Sequence, residues 1–460
     1  MRFILQLSWK RLADYKSERL IMSKKIGRGL ALLSLFCLLS TSLLVTGHVA
    51  VHGSQGASVA VGTTRNAAIV ATTAAVLKET SELRELPILK PVNSGAQSRA
   101  EIERMIVKNL DEDTTPAEMH ATEVVLKKLG LAPPSFQYRP FLIKLLTEQV
   151  AGYYDPKAQE FYLADWIELE GQKPVMAHEL THALQDQHFN LRRFEKWPKG
   201  DADAELAAHS LVEGDATLAM TLYMAKNPLV ALAFIRTLGA DSTSSEQIKQ
   251  APRALRESLV FPYEQGSEWT TQLYKRGGWA MVSQAFTKLP QSSEQILHAE
   301  KYFSYEAPVK VALPDLRNIL GSSWKRIDYD VNGEWTYYLI LDQFLNAAAE
   351  SKRAAAGWGG DRYEVYEGRK PGDVCIAQMT VWDTENDARE FFDAYAKRTW
   401  RRYADAKAID ITSRKVEGEL RAWQTSEGEV VVELRGSRVA ILEGIPTGVD
   451  SRNLLGLLWQ

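Results

Sequence analysis

The chain has 460 residues, 45% of them hydrophobic and 25% charged, which is enough apolar material for a packed core in two or three domains. A formal net charge of −3 argues against a nucleic-acid partner. With two cysteines, Cys37 and Cys375, a disulfide-built scaffold is excluded.

Residues 1–50 read as a signal or anchor segment. The first 21 residues are polar and basic, whereas Met22, an alternative start, opens a tighter pattern: Lys24, Lys25 and Arg28 precede a Leu-rich run over residues 29–45. A charged stretch before an apolar one is the signature of export, so the protein is expected to be secreted or periplasmic. Small residues near Gly47 and Ala60 permit cleavage. At about 17 residues the run is also long enough to stay as a membrane anchor, and both outcomes are open. Residues 51–78, an Ala, Thr, Val, Ser and Gly mixture, predict a low-complexity linker.

Residues 79–313 are expected to form a mainly helical domain. Ser98 with Glu101 and Thr115 with Glu118 predict capping boxes, the second with Pro116 at the first helical position and Gly130 as a stop. A helix near Pro140 to Val150 leads into Gly152-Tyr153-Tyr154, a turn at Asp155-Pro156-Lys157, and Glu160 to Leu163, which together predict a hairpin. Tyr153 and Tyr154 either line a cleft or pack the hairpin. Residues 61–110 are either within this domain or a pro-segment over its cleft.

The stretch Val175 to Asp186 carries the chemistry. On a helix His178 and His182, four apart, share one face, so both rings can reach one point about 2 Å from each. Glu179 is turned by roughly 100°, near that point without being a ligand. This is the H-E-x-x-H arrangement of zinc peptidases, in which the carboxylate acts on the metal's water. Pro174 is expected at the first turn of this helix. Asp186, one turn after His182, either orients an imidazole or is solvent-exposed. The plainer alternative is a helix with two hydrogen-bonded core histidines.

A catalytic zinc takes three protein ligands. The next long helix, from about Asp201 to Met224, offers Glu205, His209, Glu213 and Asp215. Its Glu213-Gly214-Asp215-Ala216 resembles the gluzincin class of metallopeptidases, in which a glutamate in an E-G-x-A setting follows H-E-x-x-H on a second helix. Thermolysin-like members carry aspartate four residues after that glutamate; this chain has Thr217, so the resemblance is to the E-G-x-A type of zinc aminopeptidases. It implies Zn2+ held by His178, His182 and Glu213, with His209 one turn earlier as the competing third ligand. Gly214 costs roughly 1 kcal/mol against Ala in mid-helix, which close packing on the zinc helix would explain. Further on, Phe261-Pro262-Tyr263-Glu264-Gln265-Gly266, with Trp269 and Gly277-Gly278-Trp279, is similar to the Y-x-x-G helix of the same class. That likeness makes Tyr263 the donor that stabilises the oxyanion. Ser292 to Gln295 predicts a capping box opening a helix with His298 and Tyr302 on one face, as a cleft pair or as core.

Residues 314–460 differ in texture. A strand at 324–331, a helix at 334–346, a Gly-rich turn at 357–360, a strand at 374–382 and a helix after Thr384 precede three short strands at 418–425, 429–435 and 438–443. This is a small α+β domain with a β-meander, in which Cys375 is expected to be a small buried hydrophobe. The whole is expected to be α+β and mainly helical: a zincin-like metallopeptidase domain followed by the small domain. Its expected function is that of an exported zinc-dependent metallopeptidase that hydrolyses peptide or protein substrates with Glu179 as general base. The alternative is a non-catalytic zinc-binding envelope protein that uses a zincin scaffold to bind peptide or cell-wall material.

Overall fold

A computed structural model describes residues 55–166, 168–195, 197–240, 251–410 and 417–460; the signal or anchor segment expected at 1–50 lies outside them. In chain order, α1 (Gln55–Arg84), β1 (Asn93–Gln97), α2 (Arg99–Asp113), α3 (Pro116–Lys128) and α4 (Tyr138–Gln149) lead to the strands β2 (Gly152–Asp155) and β3 (Glu160–Ala164). Four long helices follow: α5 (Leu169–Phe189), α6 (Ala202–Lys226), α7 (Pro228–Ala240) and α8 (Arg253–Ala285). The remainder is β4 (Lys325–Asp330), α9 (Gly333–Leu345), α10 (Ala348–Ala355), β5 (Trp358–Glu367), β6 (Val374–Trp382) and α11 (Glu385–Arg402). It closes with β7 (Lys407–Ala408), β8 (Glu419–Thr425), β9 (Gly428–Arg435), β10 (Arg438–Ile445) and α12 (Ser451–Leu458). The fold is mixed α+β, with a three-stranded sheet among the helices and a seven-stranded antiparallel sheet near the end.

Local signals account for many boundaries. Ser98 and Thr115 accept hydrogen bonds from the backbone of Glu101 and Glu118, whose carboxylates return the bond to the cap backbone. Both reciprocal pairs satisfy donors that a bare helix end leaves open. Gly130, at φ +74, ends the run after α3 in a conformation that a side chain disfavours.

Two expectations fail here. The supposed linker at 51–78 is helical from Gln55 onwards, and Ile69, Val76 and Leu77 are buried against Met176, Leu180 and Leu184 of α5. Its composition hides a helix because tertiary packing, not intrinsic propensity, supplies most helix stability. Likewise Pro174 sits inside α5, which already begins at Leu169. That turn loses one backbone bond, and the helix continues because its flanks are packed.

The hairpin forms in the register Gly152↔Leu163, Tyr153↔Tyr162 and Tyr154↔Phe161, and β1 adds to β3 in parallel, giving the order β1-β3-β2. This leaves β2 at the sheet edge, beside α5.

The crossing of α6 on α8 sets the rest of the helical body. A Cβ on Gly214 would meet the carbonyl of Gly266, and a Cβ on Gly266 would meet the carbonyl of Ser210. Gly214 therefore answers to α8 and not, as expected, to α5, the helix of His178 and His182. Within α8, Gly277 and Gly278 leave helical geometry, Gly278 at φ +62, so the helix turns sharply before Trp279. Short helices at Ser293–Leu297 and Ala299–Ser304 follow. His298 bonds to Glu334 and Tyr302 donates to the carbonyl of Lys288, so these two are packing groups rather than a cleft pair.

In the C-terminal sheet the order is β4-β5-β6-β10-β9-β8-β7. Central β6 is buried at every position, including Cys375, whose thiol burial pushes up to about 12. Helices α9 and α11 cover one face, and α12 with the segment around Leu316 covers the other. The Gly-rich turn expected at 357–360 is instead the bulged start of β5, Gly360 lying too close to the backbone of Val309 for a side chain. Among the described residues no single helix is long and apolar enough to cross a membrane; α6 with most of α7 passes on length and composition, but the pair is bent by 113°.

Gly214→Ala is expected to destabilise the protein by about 1–3 kcal/mol, since a methyl there must push the backbones of α6 and α8 apart. Gly456→Ala, in α12 with open space around it, should stabilise by about 0.5–1 kcal/mol. Denaturant midpoints of the two variants measure the contrast, and equal values would show that α6 and α8 separate freely.

Candidate metal centre

Helix geometry alone brings His178 and His182 to one side of α5, and the bond from Gln185 to the carbonyl of Val212 joins α6 to it. The result is a buried trio. His178 Nε2 lies 3.1 Å from Glu213 Oε2 and 3.2 Å from His182 Nε2, and His182 Nε2 lies 3.5 Å from the same carboxylate oxygen. Three ligands about 2.0–2.1 Å from a tetrahedral ion stand roughly 3.3 Å apart, so the spacing fits three corners around one cation. Among the described residues this is the group of His, Cys, Asp and Glu whose ligand atoms converge closely enough to hold a metal ion.

Tautomer chemistry strengthens the fit. Both amide N–H groups of Gln185 face acceptors, the carbonyl of Val212 at 3.0 Å and Asp215 Oδ2 at 2.9 Å. Its Oε1 must therefore be the atom 2.9 Å from His182 Nδ1, and that nitrogen must donate to it. A neutral His182 then carries its lone pair on Nε2, pointed at the trio, as a ligand requires. The rings of His178 and His182 meet edge-on with centroids 4.8 Å apart.

The electrostatics point the same way. Burial pushes the Glu213 carboxyl up, but the imidazoles of His182 and His178 more than offset this and hold it at about 2. Conversely, burial lowers His182 while Glu213 raises it further, to about 9. The carboxylate draws positive charge into a dry place, and a divalent cation can supply it.

Glu179, 1% exposed, is raised by burial, opposed by the charges of His182 and His178. Its Oε2 accepts from the backbone N–H of Tyr154 at 3.0 Å, which ties it to the edge strand β2. Tyr263, on the third turn of α8 and one turn before Gly266, is 2% exposed and stacks on His178 at 6.0 Å. Burial and the negative charges of Glu213 and Glu179 push its hydroxyl well above the usual tyrosine range, so it stays a donor. His209 stands apart from the trio on the cleft wall, with Nε2 3.9 Å from Glu205. Asp186 takes neither expected role: buried, it accepts from the Tyr154 hydroxyl at 3.0 Å and caps the chain after α5 through the N–H of Leu191 at 2.9 Å.

A cleft opens onto His182 and Glu213, walled by Met105, Asn109 and Asp113 of α2, by Tyr153 and Tyr154 of β2, and by Leu191 and Phe194. Both tyrosines thus line it as well as packing the hairpin. Sequence reasoning missed Gln185, although its position three residues after His182 puts it on the same face. It also missed the partnership of Asp215 with Gln185.

A family model for a domain of unknown function, DUF8575, matches residues 320–454, which takes in the C-terminal sheet but none of the trio. No curated protein and no solved structure matches the chain.

Metal analysis and calorimetric titration of the purified protein should find one divalent ion per chain, lost in His182→Ala and Glu213→Ala and kept in His209→Ala. Retention in Glu213→Ala would remove Glu213 from the ligand set.

Proposed function

We propose that the protein is an exported zinc-dependent metallopeptidase of zincin-like fold, similar to the gluzincins, and that it hydrolyses peptide bonds in a peptide or protein substrate. The observation that carries this reading is the convergence of His178, His182 and Glu213 at the wall of a cleft, with a second buried acid, Glu179, beside them. A closed structural site has no use for that second acid. The export signal in residues 22–45 supports a location outside the cytoplasm, with residues 29–45 either removed or kept as an anchor.

His178, His182 and Glu213 would hold the zinc, which would supply Lewis-acid chemistry towards a water and the scissile carbonyl. The protein's own groups do the rest. Glu179 is held through Oε2 by the Tyr154 N–H, which leaves its other oxygen to take a proton from the attacking water and deliver it to the leaving amine. A carboxyl raised by burial is suited to carrying that proton between the two. Tyr263, kept protonated, donates to the oxygen on which negative charge builds.

Strand β2 supports the extended substrate. The bonds from Ala164 N–H to Ala151 O and from Gln159 N–H to Asp155 O turn Ala151 and Asp155 inward. By alternation Gly152 and Tyr154 turn their backbone groups the other way; the Tyr154 N–H is taken by Glu179, so an incoming chain can pair with the N–H and carbonyl of Gly152 and the carbonyl of Tyr154.

Glu179→Gln should bind zinc as wild type does and lose about 10²–10⁴-fold in kcat/KM. For Tyr263→Phe the expected loss is about 10²–10³-fold, with zinc retained. Digestion of a peptide library read by mass spectrometry measures both. Stoichiometric zinc with no cleavage by the wild type would instead favour a binding-only envelope protein, and undiminished cleavage by Glu179→Gln ends the assignment.

A further inference from the structure

Arg84, the last residue of α1, lies fully buried against α6 and α8. Its Nε and Nη2 donate to the two oxygens of Asp215 at 2.5 and 3.1 Å, a bidentate pair whose side chains are both at 0% exposure. The guanidinium also donates to Ser283 Oγ at 3.2 Å and stacks over Trp279 at 4.4 Å. The break at Gly277 and Gly278 is what turns these last two residues towards it. From Asp215 the contacts continue through Gln185 Nε2 to Gln185 Oε1 and His182 Nδ1, both at 2.9 Å.

Each link determines the next. The guanidinium, charged at any ordinary pH, holds Asp215 in one orientation. Asp215 Oδ2, with the carbonyl of Val212, accepts both amide protons of Gln185 and forbids the flipped amide, whose oxygen would then face two acceptors. The amide oxygen, so directed, requires a proton on His182 Nδ1. As helix cement alone the pair is poorly chosen, because the desolvation of two buried charges largely cancels their attraction and apolar residues would pack as well.

We propose that Arg84, Asp215 and Gln185 are positioning residues: a relay from the N-terminal helix that keeps the proton of His182 on Nδ1 and so sets the affinity of the trio for zinc. This rests on the reading of the trio as a zinc site.

Two variants of the full chain test it. Gln185→Leu removes the acceptor while leaving the ion pair intact. The double variant Arg84→Met/Asp215→Leu replaces both charges together, so that no unpaired charge is buried. The first readout is imidazole NMR of the zinc-free, ¹⁵N-histidine-labelled protein across a pH series, with the tautomer read on the alkaline limb where the ring is neutral. Wild type should show a His182 Nδ1–H proton protected from exchange, and both variants should lose it while the signals of His188 and His298 stay in place. The second is zinc affinity by competition with a chromogenic chelator, expected to weaken about 10–100-fold in each variant. A double variant that does not fold leaves the decision to Gln185→Leu. A protected Nδ1–H and wild-type affinity in Gln185→Leu overturn the relay. A wild type that binds no zinc yet shows the protected proton retires the zinc reading and keeps the hydrogen-bond relay.

Discussion

Two imidazole nitrogens and a carboxylate oxygen aimed at one point inside a protein, with a second carboxylate next door, repel one another unless positive charge lies among them. That constraint explains why so much of the helical body is rigid around so few atoms. The histidines have no freedom to turn away, because α5 is buried along most of its length and packed by α1, the hairpin and α6. Glu213 has none either, because α6 is clamped at Gly214. A protein that did not need a cation there would lose little or gain stability by replacing the three together with apolar residues. Their presence in a dry place is therefore the physical case for a metal.

The glycine pair explains how the remaining groups arrive. With side chains at 214 and 266, α6 and α8 could cross only at a greater distance. Without them the axes close up, and Tyr263, one turn ahead of Gly266, is carried to the His178 ring and the neighbourhood of Glu213. The E-G-x-A and Y-x-x-G patterns are thus two halves of one contact: in each, a chemical residue stands beside the glycine that lets it approach. This is a packing reason for the spacing within each pattern, independent of any likeness to other proteins.

How much was legible follows from how local each feature is. His178, Glu179 and His182 are placed by helix geometry alone, so a stretch of twelve residues suffices to see them. The capping boxes at Ser98 and Thr115, the hairpin and most strands of the meander are equally local, and they lie where the residues predict; at Ser292 the cap accepts from the N–H of Gln295, but the Gln295 side chain turns to the N–H of Gln291 and the helix ends at Leu297, before His298 and Tyr302. Choosing Glu213 over Glu205 or His209 is harder, since one turn of helix separates the candidates and only the approach of a neighbouring helix distinguishes them. Arg84 was beyond reach: it contacts Asp215 across 131 positions and ends a helix whose Ala- and Thr-rich body reads as a tether. Strand β1, Asn-Ser-Gly-Ala-Gln, shows no alternation of apolar residues, because its pairing with β3 is dictated by the sheet and not by its own side chains.

The C-terminal sheet supplies none of the trio, yet it is bonded to the start of α6. Asp330 Oδ1 accepts the N–H of Ala202 at 2.7 Å, and Arg362 donates to the carbonyl of Gly200 at 2.5 Å. Gly333 at φ +73 leaves room for Asp203, whose carboxylate accepts from the N–H of Ser293 at 3.0 Å. These bonds fix the first turn of the helix that carries Glu213 three turns later. The sheet is in turn locked to the helical body at α3, where Arg398, paired with Glu443 at 2.6 Å, donates to the carbonyl of Leu129 at the same distance. A unit that supplies none of the trio thus holds one end of the helix from which Glu213 projects.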